Sequence, residues 1–177
     1  MCGNVYTDTA QDGAVYAGGM MLSGGVVDLQ HTFDKMNGWH TGVGGRLFFM
    51  PWRGIRVGIM GGTGKMRYGD EESRFQYNHN AMSLEWGFSL GRFIIAAGLT
   101  GGRSQYYILH KNEVTPEGVI TAREYQDAVF AFSPVTSLEF TLSGRLRAAV
   151  VVDYPVLHIE DHRHGGLRVG AGVLFVK

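Results

Sequence analysis

Apolar and polar residues alternate strictly along a short stretch in the middle of the chain, residues 81–90. The apolar positions of this stretch are Met82, Leu84, Trp86, Phe88 and Leu90. A helix would scatter these side chains around its circumference, whereas a strand places all of them on one face. The pattern therefore predicts a β-strand with a bulky apolar face and a small polar face, and Glu85 lies on the polar face.

The same alternation recurs to the end of the chain and predicts eight strands and no helix. The predicted strands are residues 15–27, 40–50, 55–68, 81–90, 93–108, 128–142, 146–157 and 167–176. Most of them reach the length of about 9–11 residues that a tilted transmembrane strand needs. We therefore predict a single all-β domain, in which residues 1–13 are an N-terminal segment and residues 14–177 form an eight-stranded antiparallel up-and-down transmembrane β-barrel.

The connections between the predicted strands alternate in length. Short turns are predicted at residues 51–54, 91–92 and 143–145, and longer polar loops at residues 30–39, 69–80, 110–127 and 158–166. All short turns then lie at one end of the barrel and all long loops at the other. This arrangement is typical of bacterial outer-membrane barrels.

The two faces of the strands differ enough to suggest which one contacts lipid. The bulky face carries no Lys, Arg, Asp or Glu, and the opposite face is rich in Gly, Ala and Ser. A soluble barrel would need a charged outer face, and the interior of eight strands is too narrow for Trp86, Phe88 and the other aromatic residues together. We therefore expect the bulky face to point to lipid. A soluble lipocalin-like barrel that binds an apolar ligand is the alternative.

Charged residues of both signs lie on the small face. Buried charges must be paired, so we expect them to form an interior network that plugs the lumen. Its predicted members are Arg46, Arg56, Glu85, Glu139, Arg147, Asp153 and Arg168.

Aromatic residues group toward the two ends of the predicted strands, as in the girdles of membrane barrels. Phe48, Phe49 and Trp52 lie near a short turn, with Trp86 close by, and Tyr77, Tyr106 and Tyr154 lie toward the long loops. Trp52, Trp86 and Tyr154 are the predicted membrane-interface aromatics.

In strand alternation, turn order and the C-terminal segment 167–175, LRVGAGVLF, the chain resembles the small eight-stranded outer-membrane barrels of the OmpA transmembrane-domain and OmpX type. The resemblance implies a bacterial outer-membrane location after removal of a signal peptide, contact with outer-membrane lipid, an extracellular or envelope protein partner at the long loops, and no cofactor. The net charge of +0 gives no indication of a nucleic-acid partner.

Two kinds of chemistry are conceivable at the long-loop end, where the seven histidines are predicted to gather. His158, His162 and His164 are the densest group and offer imidazole ligands for a metal, although their spacing matches no zinc motif. A lipid-modifying outer-membrane enzyme would use His158 beside Tyr154, but no nucleophile is marked out. We interpret the chain as a non-enzymatic barrel with a structural, anchoring or loop-mediated binding role.

Overall fold

The computed structural model describes residues 15–31, 34–52, 54–68, 73–114, 120–159 and 162–177. The strand segments are β1 (Val15–His31), β2 (Asp34–Trp52), β3 (Ile55–Tyr68), β4 (Ser73–Leu90), β5 (Phe93–Val114), β6 (Ile120–Ser143), β7 (Leu146–Asp153), β8 (Val156–Ile159) and β9 (His162–Val176).

These segments close into one antiparallel barrel. Each strand from β1 to β6 pairs with the next, β7 pairs with β9, and β9 pairs with β1. The segments β7 and β8 both lie between β6 and β9, so they are one barrel strand interrupted at Tyr154 and Pro155. The backbone amides of Tyr16 and Lys177 each donate to the other's carbonyl, at 3.0 and 2.9 Å, and complete the seam. The predicted eight-stranded barrel is confirmed.

In the described ranges, no helix is long and apolar enough to cross a membrane.

The short turns lie where the sequence predicts them. Two of them use glycine with a positive φ, Gly54 at 84° and Gly91 at 63°, a conformation that is costly for residues with a Cβ. The third turn, Gly144-Arg145, lies between the end of β6 and the start of β7.

The predicted long loops are wrong over much of their length, because the strands continue through them. Strand β4 begins at Ser73 rather than at residue 81, and β5 and β6 reach Val114 and Ile120. Strands β1 and β2 extend to His31 and Asp34, and β9 begins at His162. The wall formed by β4, β5 and β6 is therefore taller than the sequence suggests.

The bulky apolar face points outward, as predicted for the membrane alternative. Leu84 is 60% exposed, and Met20, Leu22, Phe130 and Phe175 are also exposed on this face. The lipocalin-like alternative required the same side chains to line the interior, and their exposure contradicts it.

The polarity of the faces reverses in the upper part of the barrel, the end away from the short turns. On β4, the outward residues from Met82 to Leu90 are apolar or nearly so, but those from Arg74 to Asn80 are polar. Inside at this level, Met66, Phe75, Tyr106 and Ile108 form a buried apolar cluster. In its upper part the barrel thus has an apolar interior and a polar outer face, as a water-soluble protein does.

Candidate functional site

The charged residues of the small face meet in the barrel interior as three separate groups. Arg46 donates through Nη2 to both carboxylate oxygens of Glu85, at 2.6 and 2.7 Å. Both residues are buried. The carboxylate between Leu84 and Trp86 therefore points away from the outer face and has a cationic partner on β2.

The second group joins one carboxylate to two arginines. Arg56 donates to the two oxygens of Glu139 at 2.7 and 3.3 Å, and Arg147 donates to Oε2 at 3.2 Å. Glu139 and Arg56 are 0% and 1% exposed. The strong desolvation of these groups is offset only while both charges are present.

A buried aromatic ring links these two groups. Phe48 is 1% exposed, and the guanidinium carbons of Arg46 and Arg56 lie 5.0 and 4.6 Å from its ring centre, within cation–π range. The prediction of Phe48 as part of an outer girdle is wrong. The inward orientation of Phe48 could have been predicted from the sequence, because Phe48 lies two residues from Arg46 and therefore on the same face of the strand.

The third group lies higher in the barrel. Arg168 donates through Nε to Asp153 Oδ1 at 2.8 Å, and its Nη2 contacts Oδ2 of the same carboxylate. Its guanidinium carbon lies 5.9 Å from the ring centre of Tyr77. Asp153 and Arg168 are direct cross-strand neighbours on β7 and β9, so the register itself brings the pair together.

A cavity of about 40 Å³ lies beside this pair, which is room for a few water molecules but not for an organic ligand. His40 and His79 line it and are buried. His79 Nδ1 is hydrogen-bonded to Ser104 Oγ at 2.8 Å, and the His40 ring lies edge-on to Tyr77 with centroids 5.0 Å apart. The prediction that these two histidines belong to loops or loop edges is wrong.

Two of the three tyrosines predicted for the upper girdle, Tyr77 and Tyr106, point into the barrel instead. Tyr106 lies on the inner side of the wall, where its ring stacks on that of Tyr125 with centroids 5.9 Å apart. Burial raises the pKa of Tyr106, and neighbouring Tyr125 and Asp127 raise it further. The hydroxyl therefore stays protonated and donates to Asp127 Oδ2 at 3.3 Å. Tyr77 likewise packs within the barrel, beside Phe75.

Trp52, Trp86 and Tyr154 are exposed on the outer surface. A Cβ on Gly165 would lie 2.6–2.8 Å from atoms of the Tyr154 ring, so this ring covers Gly165 on the neighbouring strand. Trp86 covers Gly54 in the same way, at 3.4 Å. Such aromatic cover shields glycine backbone in sheets.

The metal prediction falls on side chains outside the described part of the structure. His158, His162 and His164 lie on β8 and β9, where His158 pairs with Arg163 and Ile159 with His162. Among the described residues, no group of three or more His, Cys, Asp or Glu side chains is arranged to hold a metal ion.

Comparison with solved structures gives matches over nearly the whole chain. Ail of Yersinia pestis matches with a TM-score of 0.61 at 8% identity, over 94% of this chain and 100% of Ail. Neisserial surface protein A matches with a TM-score of 0.65 at 10% identity, over 93% and 99%. The outer membrane protein OprG of Pseudomonas aeruginosa matches with a TM-score of 0.53 at 9% identity, over 93% and 95%.

The fold is that of a small outer-membrane β-barrel. No protein-family model matches the sequence, and no curated protein does. The similarity to these proteins is therefore one of fold alone.

Proposed function

We propose that the protein is a non-catalytic barrel of the bacterial outer membrane. It has an anchoring role in the envelope or presents its upper wall to a partner at the cell surface. Its lumen is closed to solutes by its own side chains. The observation that carries the proposal is the combination of an apolar outer band with a charge-paired interior. Each carboxylate of the interior groups is held by arginine, which leaves none of them as a free acid or base.

The height of the outer band supports the membrane location. On β5, the outward positions from Phe93 to Gly101 carry no charge, and Arg103 is the next outward residue. Nine residues at about 3.3 Å each, tilted by about 40°, cover about 23 Å along the barrel axis. This height agrees with the ~25 Å apolar band of outer-membrane barrels.

The stacked interior groups support the closed lumen. An eight-stranded barrel has room only for side chains, and here two ion-pair groups flank Phe48 while a third lies above, beside Tyr77. An ion crossing the barrel would have to displace these pairs.

Because the predicted long loops are largely strand, we place the proposed partner-binding surface on the tall wall of β4 to β6 and not on loops alone. This wall carries exposed polar and basic side chains above the apolar band, among them Arg74, Asn80 and Arg103. An extracellular or envelope protein would meet this wall first.

The test is conductance in planar lipid bilayers. We expect the refolded protein to show no steady channel, and the variant Arg46→Ala/Glu85→Ala to show one, because it removes a complete ion pair from the lumen without leaving an unpaired charge. Gly144→Ala, at a turn where a Cβ would contact nothing within 4 Å, is the matched control. A steady channel formed by the unaltered protein would overturn the closed-lumen proposal.

A further inference from the structure

A groove of about 700 Å³, lined by residues of β1 to β6, lies on the outer wall within the apolar band. Three glycines contribute to its floor: Gly45 lies directly opposite Gly61 in the register, and Gly101 lies on β5 opposite Met82. Leu47, Ile59, Met82 and Phe130 stand around it. A groove with an apolar rim and glycines in its floor, on a lipid-facing wall, has the chemistry for an acyl chain.

Polar groups meet the upper edge of this groove. Asn80 and Arg103 are direct cross-strand neighbours on the outward face, and they are the first polar outward residues above the apolar parts of β4 and β5. A Cβ on Gly61 would lie 2.7 Å from Asn80 Oδ1, so the Asn80 amide lies over the groove floor. Arg103 is exposed, and its guanidinium can reach a headgroup at the membrane surface.

A basic cluster, formed by Lys65, Arg67 and Arg74, continues upward from this edge. Arg67 lies directly opposite Arg74 on the same face, an arrangement of like charges that destabilises a sheet unless an anion lies nearby. Lys65 shares this face, two residues from Arg67. All three are exposed, and no described residue forms an ion pair with them.

The described outward positions of β3, β4 and β5 carry no acidic side chain beside this cluster. Among the outward positions of β3, β4 and β5 whose side chains the structure describes, none is Asp or Glu. Glu85, the acidic residue of β4, points inward to Arg46. The charged side chains that the structure describes on this face of β3 to β5 are therefore all positive, which favours an anionic headgroup.

We propose that the wall of β2 to β5 binds a membrane lipid with a phosphate-bearing headgroup. One acyl chain lies in the glycine-floored groove, a phosphate accepts hydrogen bonds from the Arg103 guanidinium and the Asn80 amide, and a second phosphate interacts with the basic cluster. Arginine suits this role because its planar donors bind phosphate in a bidentate manner. The inference rests on the membrane location proposed above.

The test measures lipid binding to the refolded protein by native mass spectrometry from detergent micelles. The probes are diphosphoryl lipid A, monophosphoryl lipid A with the same acyl chains, and dioleoylphosphatidylcholine. We expect the order of affinity to follow the number of phosphates. Arg103→Gln should weaken both lipid A species about tenfold, the loss of one charged hydrogen bond, whereas Arg74→Gln should weaken only the diphosphoryl species.

Two further variants separate the groove from the charges. Gly61→Leu fills the groove floor, displaces the flexible Asn80 side chain, and should weaken both lipid A species while the basic cluster is intact. Arg92→Gln removes an exposed arginine at the short-turn end and should leave every affinity unchanged. The folded state of each variant is checked by the migration shift between heated and unheated samples in electrophoresis.

Equal binding of all three lipids to a folded protein would overturn the lipid site, as would an Arg92→Gln effect as large as that of Arg103→Gln. Complete displacement of lipid A by excess inorganic phosphate would also overturn it, since the groove would then contribute nothing. A protein that stays outside lipid vesicles in a flotation assay would instead overturn the proposed function, so the two failures are distinguishable.

Discussion

Replacement of Glu139 by glutamine should destabilise the barrel far more than the loss of one hydrogen bond. Glu139 is completely buried and accepts hydrogen bonds from Arg56 and Arg147. Glutamine has almost the same shape but no charge, so Arg56, at 1% exposure, would keep its charge without a counterion. Breaking a buried ion pair in this way costs about 3–5 kcal/mol.

The two arginines do not contribute equally to this cost. The side chain of Arg147 is 11% exposed, and it lies on the second residue of β7, next to the short turn. It can recover part of its hydration there, so most of the cost falls on Arg56. We therefore expect Arg56→Met/Glu139→Leu, which removes both buried charges, to be less destabilised than Glu139→Gln, with a coupling energy of about 0.5–3 kcal/mol between the two positions.

Equilibrium unfolding by urea in lipid vesicles measures these differences. Trp52 and Trp86 are exposed on the outer face within or beside the apolar band, so their fluorescence reports the loss of lipid contact. Glu124→Gln is the matched control, because Glu124 is exposed, and its effect should stay within about 0.5 kcal/mol. A Glu139→Gln cost below about 1 kcal/mol, or strict additivity with the Arg56 substitution, would refute the reasoning.

Two further predictions test the backbone packing and the outer band. A Cβ on Gly172 would lie 2.0 Å from the carbonyl oxygen of Met20, so Gly172→Ala should prevent or strongly slow refolding into vesicles, whereas Gly144→Ala should refold normally. The electrophoretic migration shift measures refolding in both cases. Normal refolding of both variants would contradict the packing argument. Leu84→Lys should cost about 2–4 kcal/mol in vesicles and Gln105→Lys, on the outward face above the band, less than about 0.5 kcal/mol; equal costs would mean that the band is misplaced.

Strand parity carried most of what the sequence could predict. The inward orientation of Glu85, Glu139, Asp153 and their arginines follows from their places in an alternating pattern, because the side-chain period of a strand is two. Which carboxylate meets which arginine does not follow. Arg56 lies directly opposite Glu85 in the register, yet it binds Glu139 across the lumen, and only the closed barrel brings these two together.

The ends of the strands could not be predicted in the same way, because the apolar side chains there occupy the inward positions and not the outward ones. Between Ser73 and Asn80 the bulky residues Phe75 and Tyr77 occupy the inward positions, while Arg74 and Gln76 point outward. The period of two persists in this segment. If apolar side chains are expected only at the outward positions, however, the segment is interpreted as a polar loop. The correct signal was the period and not the identity of the apolar face.

The reversal of polarity along β4 and β5 has a consequence for how the barrel sits in its bilayer. A downward shift would bring Asn80 and Arg103 into hydrocarbon, and an upward shift would expose Met82 and Leu99 to water. Both displacements are unfavourable, so the vertical position of the barrel is fixed by its own sequence. When bilayer thickness changes, we therefore expect the surrounding lipids to stretch or compress to match the wall, while the protein keeps its depth.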